Sequence, residues 1–243
     1  MLGTIRILGV IITNEKRDYI LKYLVDRLKT SARKTFIITP NPEMLVYAKK
    51  HLDYQDMLNH ADVALSDGVG LLYASKFMGD KLAERVTGVD FIEELCRAAK
   101  ENTMSMGFLG GRDGVAEAAA KRLKTRYPWI KVAFVGPEWD ERKITVAKDH
   151  HNKQKIDILF VAFGVPKQEE WIYTNLSKLP VKAAMGVGGS FDFLSGTVPR
   201  APIVLRKIGV EWLFRLIVQP WRWKRQLALF EFIYFIFRER FFR

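Results

Sequence analysis

Two apolar runs, each of strand length and each ending in glycine before a helix-like stretch, constrain this chain more than any other feature. The first, Ile156 to Phe163, reads IDILFVAF and is apolar on both faces apart from Asp157. A strand buried on both faces belongs in a parallel sheet. Gly164 follows, and Pro166 suits the first turn of a helix because its missing N–H costs nothing there. The second run, Val181 to Val187, delivers Gly188, Gly189 and Ser190. Small residues there leave backbone N–H groups free for a bulky anion. Two adjacent strand ends with open loops form a crevice, where open α/β sheets bind their ligands.

The rest of the chain repeats the pattern. Thr4–Ile12 reads as an opening strand or hairpin arm, and Asn14–Lys29 as a helix with Tyr19, Ile20, Leu24 and Leu28 on one face. Thr35–Thr39 is a short strand; Asn41 then caps a helix with Pro42 at its first position. Asp62–Leu65, Met104–Leu109 and Ile130–Val135 are further strands. Helices are expected over 54–59, after Gly68 and Gly70, over 91–100, over 115–127 and, as a charged exposed segment, over 139–152. Alternation of this kind predicts an α/β fold: a Rossmann-like parallel sheet with helices on both faces.

Charge is uneven along the chain. The net charge is +12, and residues 200–243 alone hold ten Lys and Arg against three Glu, with 11 of the 30 aromatics. Composition shifts near Val198-Pro199, so residues 1–198 are expected to form the catalytic domain and 199–243 a basic, aromatic, helical appendage. Such an end calls for a polyanionic partner, either nucleic acid or an anionic membrane surface. Its aromatics form a block instead of interleaving with charge, which argues against nucleic acid. No run reaches 18 apolar residues and no signal peptide is evident, so no spanning helix and a cytoplasmic location are expected. The single cysteine, Cys96, excludes an internal disulfide and reads as a packing residue.

Several polar residues stand where chemistry is done. Asp67, in SDGVG at a strand end, is either a base that takes a proton from a substrate hydroxyl or a helix cap. Thr39 and Asn41 can hydrogen-bond a sugar, although Asn41 is equally explained as a cap. Arg85 is either a phosphate ligand or a surface charge. Lys167, Gln168 and Glu169 open a helix, whose N-terminus together with Lys167 and Gln168 can hold a nucleotide. GVGGSF fails the dinucleotide fingerprint because Phe191 takes the third glycine position, and Ser190 lacks the flanking glycine of a nucleophile elbow. GGRDG, from Gly110, is a further candidate phosphate-facing turn. His51, His60, His150 and His151 lack zinc-ligand spacing and no Asp-x-Asp pair is present, so neither a metal nor a cofactor is expected.

TPNPEML, ADVALSDGVGLLYASK, ERVTGVDF, FLGG, FVAFGVPKQEEW, MGVGGSFDFLSG, RAP and GVEWLFRL occur in this order between Ile7 and Gln226. In these blocks the chain resembles the WecG/TagA/CpsF bacterial glycosyltransferases, glycosyltransferase family 26. The resemblance implies an inverting transfer from a UDP-sugar to a polyprenyl-diphosphate-linked sugar on the inner membrane face. Known members transfer N-acetylmannosamine, or related hexoses, for teichoic acid, common antigen, capsule or exopolysaccharide. It implies Asp67 as the base and Thr39 and Asn41 as sugar-positioning residues. Arg85 and Gln168 would line the pocket, and Gly110, Gly188, Gly189 and Asp192 would hold UDP. Arg215, Arg222 and Arg225 would meet the acceptor diphosphate from an appendage that touches the membrane. After Gln226 the chain runs LALFEFIYFIFRERFFR, more aromatic than a typical member. The alternative is a nucleotide-cofactor oxidoreductase of Rossmann-like fold.

Overall fold

A computed structural model describes residues 2–112, 114–144 and 156–242. In chain order the strands are β1 (Thr4–Ile7), β2 (Val10–Thr13), β3 (Thr35–Ile38), β4 (Val63–Ala64), β5 (Ser105–Gly110), β6 (Lys131–Gly136), β7 (Ile156–Ala162) and β8 (Val181–Gly186). The helices are α1 (Arg17–Thr30), α2 (Pro42–Lys50), α3 (Leu52–Asn59), α4 (Val69–Met78), α5 (Gly88–Asn102), α6 (Val115–Arg126), α7 (Lys167–Asn175), α8 (Ser190–Ser195), α9 (Ile203–Lys207), α10 (Glu211–Val218) and α11 (Trp223–Phe241). β1 and β2 form an antiparallel hairpin. The other six strands form one parallel sheet in the order β4-β3-β8-β7-β5-β6.

The two glycine-ended runs are the adjacent strands β7 and β8, and both are central. Side chains alternate across β7. Ile158 and Phe160 face a core shared with α1, α5, α6 and α8. Leu159 and Val161 face a second core, shared with the hairpin, α2, α3, α4, α7 and α11. Helices therefore cover both faces, as the unbroken apolar pattern requires. Cys96 is buried in the first core beside Met106.

Some local expectations change. Tyr19 is exposed, and Val25 joins Ile20, Leu24 and Leu28 on the buried face of α1. Of the helix expected over 139–152, residues 145–152 lie outside the described residues. In the described part Glu141–Lys143 is a 3-10 helix; the Asp140 carboxylate accepts from the Arg142 N–H at 3.1 Å, a local bond that favours a short turn.

After Val198 the chain forms α9, α10, a 3-10 turn and α11. Helix α11 lies against α2 and α4 and buries Phe232 and Ile236 in the second core. Burying two such side chains contributes about 1.5–3 kcal/mol each. The Lys50–Glu231 and Lys49–Glu239 pairs flank it at the surface, where an ion pair is worth about 1 kcal/mol at most. Apolar contact therefore carries the docking of α11.

Asp157, the one polar residue of β7, clamps its neighbours. It accepts from the Ser105 N–H at 2.7 Å and hydroxyl at 2.9 Å, and pairs with Lys182 at 2.7 Å. Asp157→Ala should lower stability by about 2 kcal/mol, the scale of hydrogen bonds to a charged group. The measurement is the urea midpoint at unchanged slope; an unmoved midpoint would contradict the clamp.

Candidate active site

Because the six strands are parallel, their C-terminal ends share one edge of the sheet. A cleft of about 860 Å³ opens there. Thr39, Asn41, Asp67, Arg85, Gln168, Gly188, Gly189, Arg215, Arg222 and Arg225 all line it. Three expected residues do not. Gly110 lies beneath Phe163, whose ring a Cβ there would meet at 2.7 Å. Lys167 is exposed on the outer side of α7. Asp192 reaches the cleft only through Arg215, whose guanidinium it accepts from at 3.2 Å.

Asp67 follows β4 and is half-buried at the cleft floor. It does not cap α4: the cap is Gly68, at φ +104°, with no side-chain bond to the helix. The carboxylate instead turns toward the first turn of α5, 3.5 Å from the Gly88 N–H. A Cβ at Gly88 would lie 3.2 Å from Ser190 Oγ, 3.4 Å from Thr39 Cγ2 and 3.9 Å from Asp67 Oδ2, so glycine lets these three side chains converge. Burial pushes the Asp67 carboxyl up to about 6; the Gly88 N–H and the Arg85 charge oppose the rise but do not cancel it.

Thr39 is buried and donates to the Gly186 carbonyl at 2.9 Å, tying β3 to β8. Asn41 accepts from the Met44 N–H at 2.9 Å and caps α2. Its amide nitrogen makes no hydrogen bond among the described residues, so the cap leaves it a donor for the cleft.

Gln168 is buried and braces two loops. Its Oε1 accepts from the Gly164 N–H at 3.1 Å and the Gly188 N–H at 2.9 Å, and its Nε2 donates to Glu169 at 2.6 Å. The Gly188 N–H is therefore engaged within the protein, contrary to the open anion cradle the glycines suggest. Pro166 stands at the cap position before α7, one residue earlier than expected.

The basic appendage roofs the cleft. Arg215 stacks on the Phe193 ring at 4.6 Å and reaches over Gly189, where any side chain would collide with it. Arg225 pairs with Glu43 at 2.6 Å, and Arg85 with Glu211 at 3.5 Å. Among the described residues the Arg222 guanidinium has no carboxylate or carbonyl partner, and its pKa is lowered to about 10 by burial and by the charges of Arg215 and Arg225.

Sequence reasoning missed the acids that hold these cations. Glu211 bonds both Arg85 and Arg200, and Arg200 pairs with Asp90 at 2.7 Å. For Glu211 the available signal was its place as one of only three acids in a strongly basic segment. Glu169 was named but given no role; it is fully buried, accepts from Tyr54 at 3.0 Å, and has its carboxyl pushed up to about 7 by burial. Among the described residues no three His, Cys, Asp or Glu side chains converge as a metal site.

Comparisons with known proteins identify the family. The model of the glycosyl transferase WecG/TagA/CpsF family matches residues 5–243. A Bacillus subtilis (strain 168) protein is 33% identical over 222 residues, covering 91% of this chain and 85% of that protein. A Staphylococcus aureus (strain MRSA252) protein is 37% identical over 207 residues, covering 83% and 80%. Both are named N-acetylglucosaminyldiphosphoundecaprenol N-acetyl-beta-D-mannosaminyltransferase. The oxidoreductase alternative finds no support, and this chain belongs to the WecG/TagA/CpsF family of glycosyltransferases.

Proposed function

We propose that this protein is an inverting hexosyltransferase that moves N-acetylmannosamine, or a related hexose, from a UDP-sugar to a sugar on polyprenyl diphosphate. The observation that carries this reading is one cleft holding a carboxylate of raised proton affinity beneath three arginines. The relatives' names add the acceptor, a diphosphate-linked N-acetylglucosamine, and the β linkage that a single displacement on an α-linked donor produces.

In this mechanism Asp67 takes the proton of the acceptor hydroxyl as its oxygen attacks the anomeric carbon. The bond to UDP breaks, and UDP leaves with the electron pair. Thr39 and Asn41 orient the sugars, and Gly188 and Gly189, without side chains, leave room for the nucleotide while the Gly188 N–H stays with Gln168. That arrangement leaves Gly110 and Lys167, outside the cleft, without a contact. Arg85 offsets charge on the departing diphosphate. Below pH 6 Asp67 is protonated and cannot accept, so kcat/KM should fall about tenfold per pH unit there and level off above it. Asp67→Asn should cut turnover roughly 10²–10⁴-fold and remove that acid limb. Near-wild-type turnover in the variant would refute the assignment.

Arg215, Arg222 and Arg225 then take the acceptor diphosphate, whose charge offsets their mutual repulsion and whose oxygens suit bidentate guanidinium contact. Arg222 matters most, since it has no internal partner among the described residues. Arg222→Ala should raise KM for the lipid acceptor roughly 10- to 100-fold, the scale of one lost charge-assisted bond, in an acceptor titration at saturating donor. An unchanged KM would place the diphosphate elsewhere.

We also propose that the appendage docks on the anionic inner face of the membrane. No helix of the described residues is long and apolar enough to cross a bilayer. Trp221, Trp223, Phe230 and Phe242 are exposed beside the basic residues of the appendage, a pattern suited to the headgroup zone. The full chain should sediment with anionic vesicles, and 1 M salt, with a screening length of about 3 Å, should weaken that binding only in part. Complete release by salt would leave the aromatics without a role.

A further inference from the structure

The cleft is polar at one end only. Helix α4 starts two residues after Asp67 and leaves the catalytic floor. Helix α11 starts beside Arg222 and leaves in the same direction: Phe232 lies 3.8 Å from where a Cβ at Gly70 would stand, near the start of α4, and Phe237 and Phe241 meet Phe77, near its end, with ring centroids 4.8 and 6.0 Å apart. Gly70 to Phe77 is seven residues, about 10 Å of helix. Along that length the cleft is walled by Tyr73, Phe77, Ile233 and Phe237, while the arginines and Asp67 stay at its head. Phe77, Ile233 and Phe237 remain well exposed although they line a groove.

We propose that this groove between α4 and α11 is the binding site for the first isoprene units of the acceptor lipid. The inference rests on the transfer reading above and names a subsite which that reading does not contain. Continuity and charge select the occupant. A molecule with its diphosphate on the arginines and its sugar at Asp67 must send its third part out of the same cleft. The remaining exit is apolar, and among the described residues the groove wall between Phe77 and Ile233 offers no cation for a second anionic group. A prenyl chain matches both ends at once. An acyl chain of a bilayer lipid matches the apolar wall alone.

The test uses the full chain in buffer without detergent or vesicles. The acceptors are N-acetylglucosaminyl diphosphates carrying a methyl, a two-isoprene or a three-isoprene group, each below its aggregation threshold. Wild-type kcat/KM should rise at least about tenfold from methyl to two isoprenes, as burial of several methylene groups implies. Ile233→Gln and Phe237→Gln each make its wall polar. Both should shrink the two-isoprene-to-methyl ratio toward one, and UDP binding by the variants checks that they are folded. Equal use of methyl and prenyl acceptors by wild type would overturn the proposal. So would a chain-length preference seen only with vesicles, or ratios in both variants equal to wild type. Absence of transfer to every acceptor with every UDP-sugar would instead defeat the transfer reading, and this proposal with it.

Discussion

One side-chain amide holds the cleft together. Gln168 bonds the loops after β7 and β8 through one oxygen and turns its nitrogen to the buried Glu169. The loop after β8 is glycine-rich, whereas Phe163 and Val165 pack the loop after β7 against the second core. Leaving any of these buried groups without its partner would cost about 1–3 kcal/mol. The amide orientation is therefore over-determined, and the position of Gly188 relative to Asp67 follows from it. The Thr39 hydroxyl adds a parallel tie from β3 to the end of β8. Rigid strand ends are joined by a few directional bonds, which is how a site stays accurate on an edge made of loops.

Burial and neighbouring charge together set the electrostatics of the cleft. Asp67 feels burial, which favours the neutral acid, against Arg85 and the Gly88 N–H, which favour the anion. Burial prevails, but not so far that the group is neutral at pH 7. Arg222 meets the converse case: burial and two neighbouring cations disfavour its charge. A cluster arranged in this way is strained by its own field until an anion arrives.

Much of this was legible in the sequence, for physical reasons that differ by element. β7 and β8 were readable because a strand buried on both faces must be apolar throughout, and Asp157 stood out as the exception. Asn41 and Pro42 marked the start of α2 by cap chemistry alone. Asp67 could be located but not assigned, since cap and base readings differ only in where the carboxylate points. The order β4-β3-β8-β7-β5-β6 was not legible, because sheet neighbours are chosen by contacts distant in sequence. The engaged Gly188 N–H was hidden for the same reason, as its partner lies twenty residues away. The 3-10 turn at Glu141–Lys143 escaped because a charged segment has no apolar period to read.

The Arg85–Glu211 contact joins the catalytic floor to α10 of the appendage. Glu211 raises the proton affinity of Asp67, and it also occupies Arg85, which lowers that affinity. Lifting the appendage would remove the acid, free the arginine and admit water, and all three changes make Asp67 a weaker base. A protein caught with donor bound but its roof open would then be poorly equipped to activate a passing water molecule. On the proposed mechanism, the nucleotide-sugar would then be spared hydrolysis until the appendage is seated.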